Sequence, residues 1–179
     1  MKTKPYRMSP AQAEITSKEL KKMKDLGIVR NSKSDYASPV VLIPKPDGSW
    51  RFCVDYRKLN KHTKLDSYPL PNIQECLSKL LGAKFFAKFD LAAGYWQIAM
   101  HNGDIERTAF ITPQGLFEFT VMPFGLKTAP ATFQRMMDKL FSDMDKVIIY
   151  MDDLLAFGNS MEELLVNIDR VFYTLEKLI

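Results

Sequence analysis

The chain has 179 residues, with 25 Lys and Arg against 21 Asp and Glu, 46% apolar residues and 12% aromatics. That composition excludes a disordered, collagenous or low-complexity chain. Two cysteines, Cys53 and Cys76, are too few for a disulfide framework or a four-thiolate zinc site. No apolar run approaches the ~18 residues of a membrane span, and the lysine-bearing start lacks the apolar core of a secretory signal. The expectation is a protein that is not secreted, has no membrane partner and works in a reducing compartment. The net charge of +4 hides an asymmetry: residues 1–100 hold 18 basic and 9 acidic side chains, residues 101–179 hold 7 and 12. This pattern fits either scattered surface charge or a basic lobe for a polyanion beside an acidic lobe for cations.

Ser9, Pro10 and Gln12 form a capping-box start for a helix that should run to Leu26 and stop at Gly27. Residues 40–43 read as a strand, Pro46-Asp47-Gly48 as a turn and residues 50–56 as a half-buried return strand. This hairpin carries Lys45 near its tip and Arg51 on its return. A helix over residues 72–81 should close at Gly82, and residues 85–89 should form a buried strand ending at Asp90. Residues 96–100 read as a short strand, and residues 108–121 as a hairpin about Thr112-Pro113-Gln114-Gly115. A loop over residues 122–127 feeds a helix from Thr128 to Met144. Two apolar strands, 147–150 and 154–157, flank Met151-Asp152-Asp153. A final helix begins with the capping pattern Ser160-Met161-Glu162-Glu163 and carries no stop signal, as expected of a fragment of a longer protein.

The chemistry concentrates in the acids. Asp152-Asp153 can be read simply as a turn, but the favoured two-residue hairpin turns carry glycine and this one has none. Its apolar flanks place the carboxylates at the edge of a core. Asp90 ends another apolar strand, and if the strands are neighbours three carboxylates converge. Such a cluster is costly unless cations neutralise it, and hard oxygen donors without His or Cys suit Mg²⁺. Pairs of such ions activate a hydroxyl and hold a leaving phosphate oxygen. His62 and His101 are single surface histidines, and Cys53 and Cys76 are small apolar residues.

Four stretches then carry a resemblance. Tyr150-Met151-Asp152-Asp153 is similar to the signature box of reverse transcriptases, and Phe89-Asp90-Leu91-Ala92-Ala93-Gly94-Tyr95-Trp96-Gln97-Ile98 resembles their first catalytic motif. Residues 122–130, Met-Pro-Phe-Gly-Leu-Lys-Thr-Ala-Pro, resemble the loop-helix motif between the two. Residues 50–60, Trp-Arg-Phe-Cys-Val-Asp-Tyr-Arg-Lys-Leu-Asn, resemble the fingers hairpin. All four occur in the family's order, and the wording is similar to gypsy-type long-terminal-repeat retrotransposons. Retroviral enzymes usually have Gln where Phe124 stands, so the resemblance implies stacking or packing against the sugar in place of a side-chain hydrogen bond at that position.

The resemblance implies an α+β fragment of the polymerase right hand, with a fingers hairpin, an antiparallel palm sheet backed by helices, and no thumb. Fingers would span roughly residues 1–84 and 103–122, and palm roughly 85–102 and 123–179. It implies an RNA-directed DNA polymerase that adds dNTPs to a primer 3′-hydroxyl on an RNA or DNA template. Asp90, Asp152 and Asp153, with the carbonyl of Leu91, would hold two Mg²⁺ ions, with Mn²⁺ able to substitute. Lys45 and Arg51 would clamp the triphosphate, assisted by the backbone N–H groups of Ala93 and Gly94. Tyr95 would be the steric gate beneath the sugar; viral RNA-dependent RNA polymerases usually carry an acid at this offset. Phe124 would line the nucleotide site, while Tyr150, Met151, Arg57, Asn60, Lys127 and Gln134 would lie near template, primer or nucleotide. The thumb, ribonuclease H and integrase regions would belong to the rest of a parent polyprotein acting in the cytoplasm, including virus-like particles. The non-enzymatic alternative is a truncated nucleic-acid-binding remnant with weak or no activity.

Overall fold

The computed structural model describes residues 1–91, 94–151 and 153–176. In chain order its elements are α1 (Pro10–Asp25), β1 (Val29–Asn31), β2 (Ser38–Pro44), β3 (Trp50–Val54), α2 (Arg57–His62), α3 (Ile73–Lys79), β4 (Phe85–Asp90), α4 (Asn102–Ile105), β5 (Phe110–Thr112), β6 (Gly115–Phe119), α5 (Ala129–Leu140), β7 (Val147–Tyr150), β8 (Asp153–Gly158) and α6 (Met161–Glu176). They form two compact units, one of residues 1–65 and 95–129, the other of residues 66–94 and 130–179.

The first unit holds a five-stranded sheet in the order β1-β6-β5-β2-β3. The two hairpins, β2–β3 and β5–β6, pair antiparallel as their turn residues predict, and β2 joins them through a short parallel pairing with β5. The capping box that starts α1 is complete: the Gln12 N–H donates to Ser9 Oγ, and the Ser9 N–H donates to Gln12 Oε1. Gly27, with φ +70°, follows its last turn. Leu20 and Met23 of α1 pack with Ile28, Val29, Val40, Phe110, Phe117 and Phe119. The Phe110 ring lies within 6.0 Å of the Phe52, Phe117 and Phe119 rings, in the edge and tilted geometries that aromatic pairs prefer.

The second unit is built on a three-stranded antiparallel sheet, β4-β8-β7. Helix α6 packs across β8 and β4, burying Leu164, Asn167 and Val171. Asn167 donates through Nδ2 to the carbonyl of Phe157, which satisfies a buried polar side chain at the helix–sheet contact. At the start of α6 the Glu163 N–H donates to Ser160 Oγ, while the Glu163 carboxylate reaches one residue further back, to the Asn159 N–H. A polar knot fastens residues 66–68 to α5. Arg135 donates to both oxygens of Asp66 and lies 4.7 Å from the Tyr68 ring, and the Tyr68 hydroxyl donates to Asp138. Arg135 holds the Asp66 carboxyl below its usual range.

Several sequence expectations are corrected. The strand expected over residues 96–100 is a 3₁₀ turn, Gly94–Gln97, followed by a single bridge between Ala99 and Val121. A strand would send Tyr95 and Trp96 to opposite faces; in the turn both rings pack on Phe124. The strand expected to be buried over residues 85–89 is instead a sheet edge, alternately half-buried and exposed, because α6 covers one of its faces. The return strand expected to reach Tyr56 ends at Val54, where the Asp55 carboxylate accepts from the Arg57 N–H and the chain turns into α2. Helix α5 stops at Leu140 rather than Met144, and the following residues form a turn in which the Met144 N–H donates to the Phe141 carbonyl.

Candidate active site

In the second unit, β4 and β8 run antiparallel in a register that makes Asp90 and Asp153 Cα partners, and β7 adds Tyr150 opposite Asp153. These three residues therefore form one cross-strand row at the end of the sheet. Side chains directly opposite share a face, and two like charges in that relation are destabilising. The compensation comes from Lys88, two residues before Asp90 and on the same face, whose Nζ lies 3.0 Å from Asp153 Oδ1. Asp90 is exposed and the Asp153 side chain is 50% exposed, so both carboxylates are reachable by a solvated cation.

The turn between β7 and β8 holds Met151 at φ +55°, a left-handed conformation unusual for a residue with a side chain. Met151 is exposed. Asp152 lies outside the described residues, as do Ala92 and Ala93. Among the described residues no three acids, histidines or cysteines gather as a metal cluster. The opposed pair Asp90 and Asp153 supplies hard oxygen donors of excess negative charge, which suit Mg²⁺ or Mn²⁺. Leu91, whose carbonyl belongs to the expected ligand set, accepts from the Gly94 N–H at 3.1 Å. Gly94 is buried against Phe133: a Cβ there would stand 3.1 Å from two atoms of that ring.

The first unit carries the cations and the aromatic platform. Lys45 follows β2 directly, with its backbone closing the turn to Ser49 and Gly48, and Arg51 pairs with Ile43 across the hairpin; both side chains are exposed. Tyr95 is buried, and its ring centroid lies 4.9 Å from that of Phe124. Phe124 is itself 45% exposed and also meets the Trp96 ring edge-on, at 6.1 Å between centroids. Arg57 donates through Nε and Nη2 to the two oxygens of Asp55, which also accepts from the Tyr6 hydroxyl. Those hydrogen bonds, the one from Arg57 foremost, hold the Asp55 carboxyl far below the usual range.

Three residues expected near template or nucleotide make internal contacts. Asn60 and Lys127 join α2 to the loop that carries Phe124. Gln134 is wholly buried, donating to Asp138 Oδ1 and the Ile149 carbonyl, which leaves it no surface to offer a nucleic acid. Sequence reasoning missed Lys88, Trp96 and the Tyr6–Asp55 support of Arg57. The alternation Phe86, Lys88, Asp90 held the signal for Lys88, since it puts Lys88 on the acidic face once β4 is paired. Tyr6 lies 49 residues from Asp55 and no local pattern reveals it.

The fold is α+β, with two carboxylates opposed at the end of an antiparallel sheet. Residues 43–178 match the family model described as reverse transcriptase (RNA-dependent DNA polymerase). The chain is 39% identical over 173 residues to the enzymatic polyprotein of Cauliflower mosaic virus (strain Strasbourg), covering 94% of this chain and 26% of that protein. It is 40% identical over 178 residues to the retrovirus-related Pol polyprotein from transposon 412 of Drosophila melanogaster, covering 95% of this chain and 14% of that one. Among solved structures, prototype foamy virus protease-reverse transcriptase aligns with a TM-score of 0.91 and 26% identity, covering 98% of this chain and 24% of that chain. The same viral enzyme in complex with an RNA/DNA hybrid aligns at a TM-score of 0.90 and 23% identity, again over 98% of this chain and 24% of that one, a likeness of fold.

The chain belongs to the reverse transcriptase family. It corresponds to the reverse transcriptase region of retroelement polyproteins and spans about a quarter or less of the relatives named here. The family works with divalent metal ions. Among the described residues no helix is long and apolar enough to cross a membrane.

Proposed function

We propose that this chain is the fingers and palm of an RNA-directed DNA polymerase, adding deoxynucleotides to a primer 3′-hydroxyl on an RNA or DNA template. The observation that carries the proposal is the Asp90–Asp153 pairing, two like charges set opposite each other that a sheet has no structural reason to keep. Asp90, Asp152 and Asp153, with the Leu91 carbonyl, would hold two Mg²⁺ ions. Bound there, the ions would acidify the primer 3′-hydroxyl and neutralise the charge on the departing pyrophosphate. The 3′-oxygen forms a new ester bond to the α-phosphorus, the bond from that phosphorus to the bridging oxygen breaks, pyrophosphate leaves with the electron pair, and the hydroxyl proton passes to solvent.

The chain's own residues bind and orient. Lys45 and Arg51, exposed cations on the β2–β3 hairpin, would hold the triphosphate, Arg through paired N–H groups and Lys as a point charge. The N–H groups of Ala93 and Gly94 would meet phosphate oxygens, the Gly94 N–H exchanging its hydrogen bond to the Leu91 carbonyl for one to phosphate. Tyr95 excludes a 2′-hydroxyl, and Phe124 packs on Tyr95 and presents its exposed face to the sugar. Tyr150 and Met151 meet the primer end, and Arg57 holds the template backbone. Fingers would span roughly residues 1–84 and 103–122 and palm roughly 85–102 and 123–179, and the polymerase would act in the cytoplasm, including virus-like particles of the parent element.

Primer extension on an RNA template tests the proposal. Asp90→Asn should lower extension ~100-fold or more, about 2.7 kcal/mol of barrier, with the protein still folded. Extension at the unmodified rate would refute the assignment. The second reading is a truncated nucleic-acid-binding remnant of low activity. It predicts short, distributive products from this chain, and long processive products would exclude it.

A further inference from the structure

Between Met122 and Ala129 the chain forms no strand, yet Phe124 must keep its ring on Tyr95 while leaving nearly half its surface open. Helix α2 supplies the restraint. The Asn60 amide uses both ends: Nδ2 donates to the Gly125 carbonyl at 2.8 Å, and Oδ1 accepts from the Lys127 N–H at 2.9 Å. A carbonyl can only accept and a backbone N–H can only donate, so this amide has one consistent orientation. Lys127 returns a third bond, from Nζ to the Thr63 carbonyl at the C-terminal end of α2, where a cation is favoured. Gly125 adopts φ +90°, a left-handed conformation suited to glycine, and a Cβ there would touch the Tyr56 ring at 3.6 Å. Tyr56 is fixed in turn, buried and donating its hydroxyl to the Thr108 carbonyl.

We infer that Asn60 is a positioning residue for the nucleotide site: it pins the Phe124–Lys127 loop from both sides, so that Phe124 stays seated on Tyr95. It acts through Phe124 and touches neither template nor nucleotide. The inference rests on the proposal that Tyr95 and Phe124 face the sugar. Two of the amide's hydrogen-bonding positions are spent on one loop, a pattern that serves shape and leaves little for a ligand.

Single-turnover addition of one nucleotide, with protein in excess over template-primer, separates the roles. Asn60→Ala should raise the apparent dNTP dissociation constant about tenfold. It should loosen discrimination against ribonucleotides in the same direction as Tyr95→Ala, with the maximal rate within threefold and template-primer affinity within twofold of the parent chain. Asn60→Asp keeps the acceptor for the Lys127 N–H and loses the donor to Gly125, so its dNTP dissociation constant should fall between the two. It also provides a folded variant if the alanine change proves too disruptive. A loss of template-primer affinity with unchanged dNTP binding would overturn the inference in favour of a template contact. Parent-like dNTP binding in both Asn60 variants, while Tyr95→Ala alters it, would overturn the inference and spare the nucleotide-site proposal. Parent-like binding and discrimination in Tyr95→Ala as well would overturn both.

Discussion

Asp90 and Asp153 stand as direct cross-strand partners, and Lys88, 3.0 Å from Asp153, offsets their repulsion in the bare chain. Replacing one acid therefore has opposite effects on stability and on metal binding. Asp90→Asn should raise the melting temperature in chelator by ~2–3 °C, the return on relieving up to about 1 kcal/mol of like-charge contact in a chain of this size. The same change should abolish any stabilisation by millimolar Mg²⁺, and a scan with and without the ion reads both effects. Lys88→Met should act the other way, lowering the melting temperature without metal and enlarging the Mg²⁺ shift. The Lys88–Asp153 pair is half exposed, so that loss should stay below ~1 kcal/mol. Gly94 makes a third single-residue test. A methyl group there must displace the Phe133 ring, so Gly94→Ala should cost ~1–2 kcal/mol in a denaturant melt, and Phe133→Leu should restore part of it.

At the scale of elements, the hairpins and the two long helices were legible because local chemistry announces them. Pro46-Asp47-Gly48 and Pro113-Gln114-Gly115 punctuate the hairpins, and Ser9 with Gln12 completes a capping box. Helix α2 was not legible, since six residues are too short to be helical by propensity. Its stability comes from side-chain bonds: the Asp55 carboxylate to the Arg57 N–H at its start, Asn60 to the loop and Lys127 to the Thr63 carbonyl just past its last turn. The missed strand β1, three residues long, is likewise defined by its partner β6, where Arg30 stands opposite Glu118 and pairs with it at 2.8 Å. The Asp55 support of α2 has a pH signature. The folded-state carboxyl sits below its ordinary value of about 3.9. Its contribution is thus complete above that value and is lost as pH falls through the folded-state range. Asp55→Asn should lower stability at neutral pH and flatten the acid limb of the stability–pH curve below about pH 4, as urea melts across pH would show.

For the molecule as a whole, the charge asymmetry seen along the sequence sharpens when it is counted by unit. The first unit carries 17 Lys and Arg against 9 Asp and Glu, the second 8 against 12. This separation suits a polyanion held by one unit and cations held by the other. Affinity for template-primer should fall steeply with salt: a grip on even two phosphates implies about a tenfold loss between 50 and 200 mM. Replacing Lys45, Arg51 and Arg57 with Gln should flatten that slope. The order of the four motifs made the family legible from sequence, because each pairs an unusual residue with a fixed neighbourhood. The register that sets Asp90 against Asp153 was only conditional there, since strand pairing is settled by packing across 63 residues of chain.

The acids' role can be tested without catalysis. In an amide NMR spectrum of the 179-residue chain, substoichiometric Mn²⁺ should first broaden the resonances of Phe89, Asp90 and Leu91 and those from Tyr150 to Leu154. Asp90→Asn should remove that selectivity. Broadening that begins at other acids, such as Asp143 and Asp145, or that ignores the Asp90 substitution, would contradict a metal site at this end of the sheet.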